Sequence, residues 1–187
     1  MIRKWEILQR ELDKNFRLFK VQKKQVRSPR TGEVREVKVI RFPPWVLVLA
    51  ITPEEEVVMI RQYRHGIEEI CLELPGGLVD SEDPTPAVAA QRELLEETGY
   101  QAYDFEHLGD CFPQPAVLSN ECSFFLAKEA KKVQAPNPDP GEDIEVMLVP
   151  LKSIPSRIEK EEITNGMVLL AFFFYWLRAG KEFASMG

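Results

Sequence analysis

The chain is poor in the residues that mark disulfide-rich and zinc-binding proteins. It has three cysteines and two histidines among 187 residues, and no two cysteines have the close spacing of a zinc-finger pair. The odd number also argues against a disulfide framework. We therefore expect Cys71, Cys111 and Cys122 to be buried thiols in a reducing cytoplasm.

Long apolar runs and an excess of positive charge are also missing. The longest apolar run, residues 166–177, is shorter than the roughly 20 residues that cross a bilayer, and it predicts a buried helix instead. Residues 1–16 carry scattered charges and lack the apolar core of a signal peptide, so we expect a cytoplasmic protein without a membrane partner. The net charge of -6 gives no reason to expect nucleic acid as a partner.

Short runs rich in β-branched and aromatic residues predict strands in much of the chain. Two such runs within residues 16–42 flank Pro29 and Gly32, which predicts an antiparallel hairpin. After Pro43 and Pro44, strands are predicted in WVLVLAIT, VVMIRQY, EICLELPGG, FEHLGDCF, ECSFFLAKEA and IEVMLVPL, and helices in SIPSRIEKE and in the long apolar run. This order predicts a mixed α/β sandwich preceded by a small antiparallel sheet, with domains at residues 1–43 and 44–187.

One strong helix is predicted from about Pro86 to Thr98. Thr85 is a good N-cap, and proline suits the first helical position because its missing N–H would have no partner there. Gly99 can adopt the left-handed conformation that ends many helices.

Three glutamates crowd one face of this helix near its end. Glu93, Glu96 and Glu97 are three and four positions apart, so their carboxylates lie within about one turn of each other. Acids on a helix are usually a solvated face, but the helix dipole disfavours negative charge at this end and like charges repel. A bound cation offsets both costs, and oxygen ligands suit Mg²⁺ or Mn²⁺ better than zinc. Arg92 can reach a neighbouring carboxylate and orient it.

A double glycine, Gly76 and Gly77, closes a predicted strand before the loop that leads to the helix. Glycine permits sharp backbone geometry and close approach. A carbonyl of this turn could complete the oxygen shell of a cation, and a simple tight turn is the alternative.

This region resembles the Nudix box, in which Gly, five residues, Glu and seven residues precede Arg-Glu-apolar-x-Glu-Glu-x-Gly-apolar. The second half, RELLEETGY at residues 92–100, matches at every fixed position. The first half is one residue longer than the pattern. Counting five residues from Gly76 reaches Glu82 and counting from Gly77 reaches Asp83, so either acid can replace the first Glu.

Over residues 44–177 the chain is similar to ADP-ribose pyrophosphatases and related Nudix hydrolases. The resemblance implies a Nudix-type α/β/α sandwich with a mixed sheet and hydrolysis of ADP-ribose to AMP and ribose 5-phosphate. The alternatives are another nucleoside-diphosphate sugar, such as a GDP-sugar, and a non-catalytic nucleotide sensor. The N-terminal sheet would help to hold the base and would join two subunits in a homodimer.

The resemblance also implies roles for individual residues. Two to three Mg²⁺ or Mn²⁺ ions would be held by the carbonyl of Gly76 and the carboxylates of Glu93, Glu96 and Glu97. Catalytic roles would fall to Glu96, Glu142 and Arg92. Glu142, in PGEDIEV, would act on the attacking water, although taken alone it is an ordinary loop acid. Arg64 and Pro115 would contact the substrate.

Overall fold

The computed structural model describes residues 1–185 and divides into two compact units. The first unit comprises residues 1–43 and 112–121, and the second the rest of the chain. Residues 112–121 lie within the predicted second domain, but in the structure they belong to the first unit because they pair with Ile40. Ile40 N–H donates to the Val117 carbonyl (2.8 Å), and the Ile40 carbonyl accepts from Ser119 N–H (3.1 Å).

The first unit is built on an antiparallel sheet of three strands, β1 (Glu6–Asn15), β2 (Lys20–Arg27) and β3 (Val34–Arg41), in that order. The predicted hairpin is confirmed by β2 and β3, whose turn contains Gly32 at φ 75°. Strand β1 was not predicted. Its residues are all exposed and it is held by pairing with β2, which a local pattern does not reveal.

Within residues 44–111 and 122–185, the second unit contains eight strands, three helices and a 3-10 turn. The strands are β4 (Trp45–Ile51), β5 (Glu56–Arg64), β6 (Glu69–Glu73), β7 (Tyr100–Gln101), β8 (Asp104–Cys111), β9 (Cys122–Lys128), β10 (Lys131–Lys132) and β11 (Ile144–Pro150). The helices are α1 (Pro86–Thr98), α2 (Ile154–Glu159) and α3 (Gly166–Ser185), and the 3-10 turn is Leu151–Ser153. The main sheet runs β11-β5-β4-β9-β8 with β6 beside β5, and it is mixed because β4 and β9 are parallel. The short strands β7 and β10, which pair with each other, were not predicted.

Successive residues of β4 pack on opposite faces of this sheet, as the strand pleat requires. Val46 and Val48 lie in an apolar cluster with Ala90 of α1, whereas Leu49 lies in a second cluster with Phe172 of α3. The sheet is therefore covered by helices on both faces, and the predicted mixed α/β sandwich with a preceding antiparallel sheet is confirmed.

Helix α3 contains the longest apolar run and is buried on one side only. Val168 and Phe172 are buried in the core, whereas Phe173 and Leu177 are about half exposed. Within residues 1–185, no helix is both long enough and apolar enough to cross a membrane.

Candidate active site

Helix α1 begins and ends at the residues that the sequence predicts. Thr85 Oγ1 accepts from Val88 N–H (3.3 Å), and Pro86 occupies the first position of the helix. Gly99 ends the helix at φ 74° and donates its N–H to the carbonyl of Leu95. These local contacts set the two ends of α1.

The acids at the end of α1 differ in their burial. Ala89, Ala90 and Leu94 press the helix onto the sheet, so Glu97, which lies one turn beyond Leu94 and two turns beyond Ala90, is drawn into the protein as well. Glu97 is 2% exposed, whereas the side chain of Glu96 is 44% exposed.

Gly76 lies close to Glu97, and Gly77 lies close to Glu93. Gly76 N–H donates to Glu97 Oε2 (2.8 Å), and a Cβ on Gly76 would overlap the carbonyl oxygen of Val46. A Cβ on Gly77 would lie 2.7 Å from Glu93 Cδ, inside the normal contact distance. Position 76 therefore requires glycine to approach β4 closely, whereas a side chain at position 77 would displace the Glu93 carboxylate.

Arg92 joins the loop to the acids of α1. Its Nη1 donates to Glu93 Oε1 (2.9 Å) and to Glu96 Oε2 (3.0 Å). Its Nη2 donates to the Leu78 carbonyl (3.0 Å) and to Asp83 Oδ2 (2.9 Å), and its Nε to Asp83 Oδ1 (3.3 Å). Because the guanidinium is planar, five contacts of this kind fix it and the carboxylates that it holds.

The structure distinguishes between the two acids in the lengthened loop. Asp83 has a side chain only 6% exposed and grips Arg92 with both oxygens, whereas Glu82 is exposed. The hydrogen bond from Arg92 lowers the pKa of Asp83 below its ordinary value. Asp83 is therefore the acid that lies against the arginine of the box.

Burial and mutual repulsion both act on the acids of this site. The pKa of Glu93 is raised to about 7 and that of Glu97 to about 8, mainly by burial and to a smaller extent by the negative charge of Glu142. Glu142 is half-buried and its Oε2 accepts from Asp139 N–H (3.2 Å). The charge of Glu142 therefore acts on both Glu93 and Glu97.

The donor set fits a hard divalent cation in its chemistry. It consists of carboxylates, and crowded buried carboxylates are stabilised in their charged form by a positive ion. Within residues 1–185, no group of three or more acidic, histidine or cysteine side chains already has the arrangement of a metal site. The carboxylates of Glu93 and Glu96 are instead turned to Arg92, and that of Glu97 to Gly76.

Arg64 and Pro115, the two predicted substrate contacts, lie in different units. Pro115 belongs to the segment 112–121 of the first unit. Arg64, at the end of β5, donates from Nε (3.1 Å) and Nη2 (2.5 Å) to Glu73 Oε2, and the charge of Glu97 also acts on it. Arg64 thus belongs to the cluster around the end of α1. The role of Pro115 as a substrate contact stays a prediction.

Glu73 and Asn165 also contribute hydrogen bonds to this cluster, and the sequence did not predict either residue as part of it. Glu73 is buried at the end of β6, and its Oε1 accepts from Asn165 Nδ2 (2.9 Å). The only local signal was a charged residue between Leu72 and Leu74, two apolar residues of the same run. The partner is distant in sequence, so no local pattern predicts it.

The chain is similar to known proteins over most of its length. A family model described as the NUDIX domain matches residues 41–169. The chain is 30% identical to the methanol dehydrogenase activator of Bacillus methanolicus, over 87% of each chain. It is 28% identical to the ADP-ribose pyrophosphatase of Bacillus subtilis (strain 168), over 81% of this chain and 82% of that one. A crystal structure of an ADP compounds hydrolase superposes with a TM-score of 0.83 at 25% identity, covering 96% of this chain and 97% of the other. The chain belongs to the Nudix hydrolase family.

Proposed function

We propose that this Nudix hydrolase cleaves ADP-ribose to AMP and ribose 5-phosphate with the help of divalent metal ions. The observation that carries the proposal is the end of α1, where Glu97 is buried, Glu93 is half-buried and bonded to Arg92, and the charge of Glu142 acts on both glutamates. Such a group suits a substrate whose own negative charge must be neutralised. The likeness to an ADP-ribose pyrophosphatase supports the choice of ADP-ribose.

Glu93, Glu96, Glu97 and the carbonyl of Gly76 are the groups that would hold two to three Mg²⁺ or Mn²⁺ ions. Bound there, the ions would supply positive charge that offsets the charge of the diphosphate and of the leaving phosphate. Arg92 keeps Glu93 and Glu96 in place through one nitrogen, Nη1. Its role is to hold the carboxylates in one arrangement through the reaction.

Glu142 accepts the proton of the attacking water. The water oxygen forms a bond to one phosphorus, the bond from that phosphorus to the bridging oxygen breaks, and the proton passes from Glu142 to solvent. Arg64 binds a phosphate oxygen or the ribose, since its guanidinium is a rigid fork of donors suited to phosphate.

The first unit serves as the surface of a homodimer. All ten residues of β1 are exposed, and they include Ile7 and Leu12. Apolar side chains on an exposed strand favour pairing with a second chain. Light scattering coupled to gel filtration tests this proposal, because a Leu12→Lys variant should shift the mass from dimer to monomer.

The substrate proposal is tested by a screen of nucleoside-diphosphate sugars, including ADP-ribose and GDP-mannose, with Mg²⁺ and with Mn²⁺. Phosphate released after coupling to a phosphatase gives the rate. We expect ADP-ribose to be cleaved fastest and the rate to vanish in excess EDTA. Faster hydrolysis of a GDP-sugar would show that the substrate is that sugar nucleotide and not ADP-ribose. Absence of hydrolysis of every compound, with nucleotide binding retained, would favour the non-catalytic nucleotide sensor.

The site assignment is tested by neutral variants of the acids. Glu97→Gln should lower kcat at least about 100-fold, the size of effect typical for loss of an electrostatic contribution to the transition state. Glu142→Gln should lower kcat with KM little changed; a rise in KM alone would make Glu142 a binding residue. Glu162→Gln, whose carboxylate pairs with Arg157 outside the site, is the matched control and should keep the parental rate.

A further inference from the structure

Glu73 is a buried carboxylate to which the proposed reaction gives no direct role. Its side chain is 3% exposed. Taking a charged group out of water is costly unless it is paired and hydrogen-bonded, so the partners of Glu73 indicate why the protein keeps it.

One oxygen of Glu73 holds Arg64 along one edge of the guanidinium. Both Nε and Nη2 donate to Oε2, at 3.1 and 2.5 Å. No acceptor among the described residues 1–185 bonds to Nη1, and the Arg64 side chain is 43% exposed. Because the guanidinium is planar, holding one edge determines the direction of the remaining N–H groups.

The other oxygen of Glu73 is held by Asn165, the residue before α3. Asn165 Nδ2 donates to Oε1 (2.9 Å), and Asn165 Oδ1 accepts from Met167 N–H (2.9 Å) as the cap of the helix. The amide of Asn165 is therefore fixed at both ends. A chain of hydrogen bonds runs from the backbone of α3 through Asn165 and Glu73 to Arg64.

The end of this chain lies at the acid cluster, where an anionic substrate needs cationic partners. The charge of Glu97 acts on the Arg64 guanidinium, and Glu97 in turn is bonded to Gly76. We propose that Glu73 is a positioning residue that, itself anchored by Asn165, holds Arg64 in the orientation that binds a phosphate oxygen of a diphosphate substrate. This inference rests on the proposed function.

The contrasting role for Glu73 is to tie β6 to α3 and nothing more. A double-mutant cycle separates the two roles, using Glu73→Gln, Arg64→Ala and the double variant. The measurements are kcat and KM for ADP-ribose with Mg²⁺, and the Kd for inorganic pyrophosphate by calorimetry.

If Glu73 acts through Arg64, Glu73→Gln raises KM and the pyrophosphate Kd about 10-fold with little change in kcat, as expected for lost binding. In the Arg64→Ala background the same substitution then has no further effect. An equal effect in both backgrounds, or no effect in either, overturns the proposal. Glu162→Gln serves as the matched control, since it removes one carboxylate from an arginine pair elsewhere in the second unit.

Asn165→Ser gives a second route if Glu73→Gln fails to fold. Serine keeps an oxygen for the cap of α3 but removes the amide donor to Glu73. We expect it to raise the pyrophosphate Kd about 3-fold, with thermal unfolding close to that of the parent. An unchanged Kd would show that the anchor is not needed and would overturn the proposed chain.

The pyrophosphate measurement also separates this inference from the substrate proposal. If the parent does not hydrolyse ADP-ribose, the proposed function fails, while the cycle in pyrophosphate affinity still decides the role of Glu73. If the parent binds pyrophosphate no better than Arg64→Ala, the positioning role is overturned whatever the substrate.

Discussion

Asp83 grips Arg92 across the loop that precedes α1, with Oδ2 at 2.9 Å from Nη2 and Oδ1 at 3.3 Å from Nε. The same arginine holds Glu93 and Glu96 from its other terminal nitrogen. Asp83 thus fixes the group that orients two acids of the site. The loop is one residue longer than the family pattern, and this contact shows how it keeps an acid against the arginine.

We expect Asp83→Asn to destabilise the protein by about 1 kcal/mol, because it removes a charged acceptor from a guanidinium that is largely buried. The effect is limited, since Arg92 keeps the Leu78 carbonyl and the two glutamates as acceptors. Urea unfolding measures it. Glu82→Gln, next to Asp83 and exposed, is the control; a greater loss in that variant would contradict the assignment.

The contribution of Asp83 should depend on pH in a defined direction. The hydrogen bond from Arg92 lowers the pKa of Asp83 in the folded state below the ordinary value of 3.8. A carboxyl with a lowered pKa stabilises the fold above its unfolded pKa, and this stability is lost as the pH falls through the folded pKa. The difference in unfolding free energy between parent and Asp83→Asn should therefore be constant from about pH 7 to pH 5 and shrink below about pH 4. If the difference in unfolding free energy grew as the pH fell, the pKa of Asp83 would be raised by folding and the prediction would be wrong.

Local signals account for the parts of the fold that the sequence predicted. The bounds of α1 follow from Thr85, Pro86 and Gly99, each of which acts within one turn of its own position. The larger strands of the second unit follow from apolar runs bounded by turns. Strand β1 escaped prediction because exposed, charged residues carry no strand pattern, and its pairing with β2 is what makes it a strand.

The sequence did not predict two parts of the site. One depends on the length of the loop before α1, and the other depends on a contact between residues distant in sequence. The spacing of the motif allows either Glu82 or Asp83 to replace its first glutamate. The hydrogen bond from Arg92 to Asp83 distinguishes between the two acids. Glu73 and Asn165 are 92 positions apart, and β6 and α3 must both be in place before they meet. The metal-binding and catalytic roles of the acids stay predictions until the variants are measured.

Cys122 should resist alkylation in the native protein. It is fully buried in β9, and burial raises the pKa of its thiol to about 12. At about pH 8 only about one molecule in 10,000 would carry the reactive thiolate, even if reagent could enter. Mass spectrometry after iodoacetamide treatment should find Cys122 unlabelled until urea unfolds the protein. Labelling of Cys122 before that of the partly exposed Cys111 would contradict the burial.

Gly77→Ala should impair hydrolysis more than it impairs folding. An added Cβ would lie 2.7 Å from Glu93 Cδ, and the far end of a side chain can move away at less cost than backbone. The movement would take Glu93 from its place beside Arg92, so we expect a loss in kcat of about 10- to 100-fold. Gly180→Ala, at a helical position with nothing within 4 Å, is the matched control and should keep the parental rate. Steady-state rates of both variants measure the effect on hydrolysis, and their thermal unfolding measures the effect on folding. If Gly77→Ala keeps the parental kcat, the position of the Glu93 carboxylate is not critical, and its role as a metal ligand loses its main structural support.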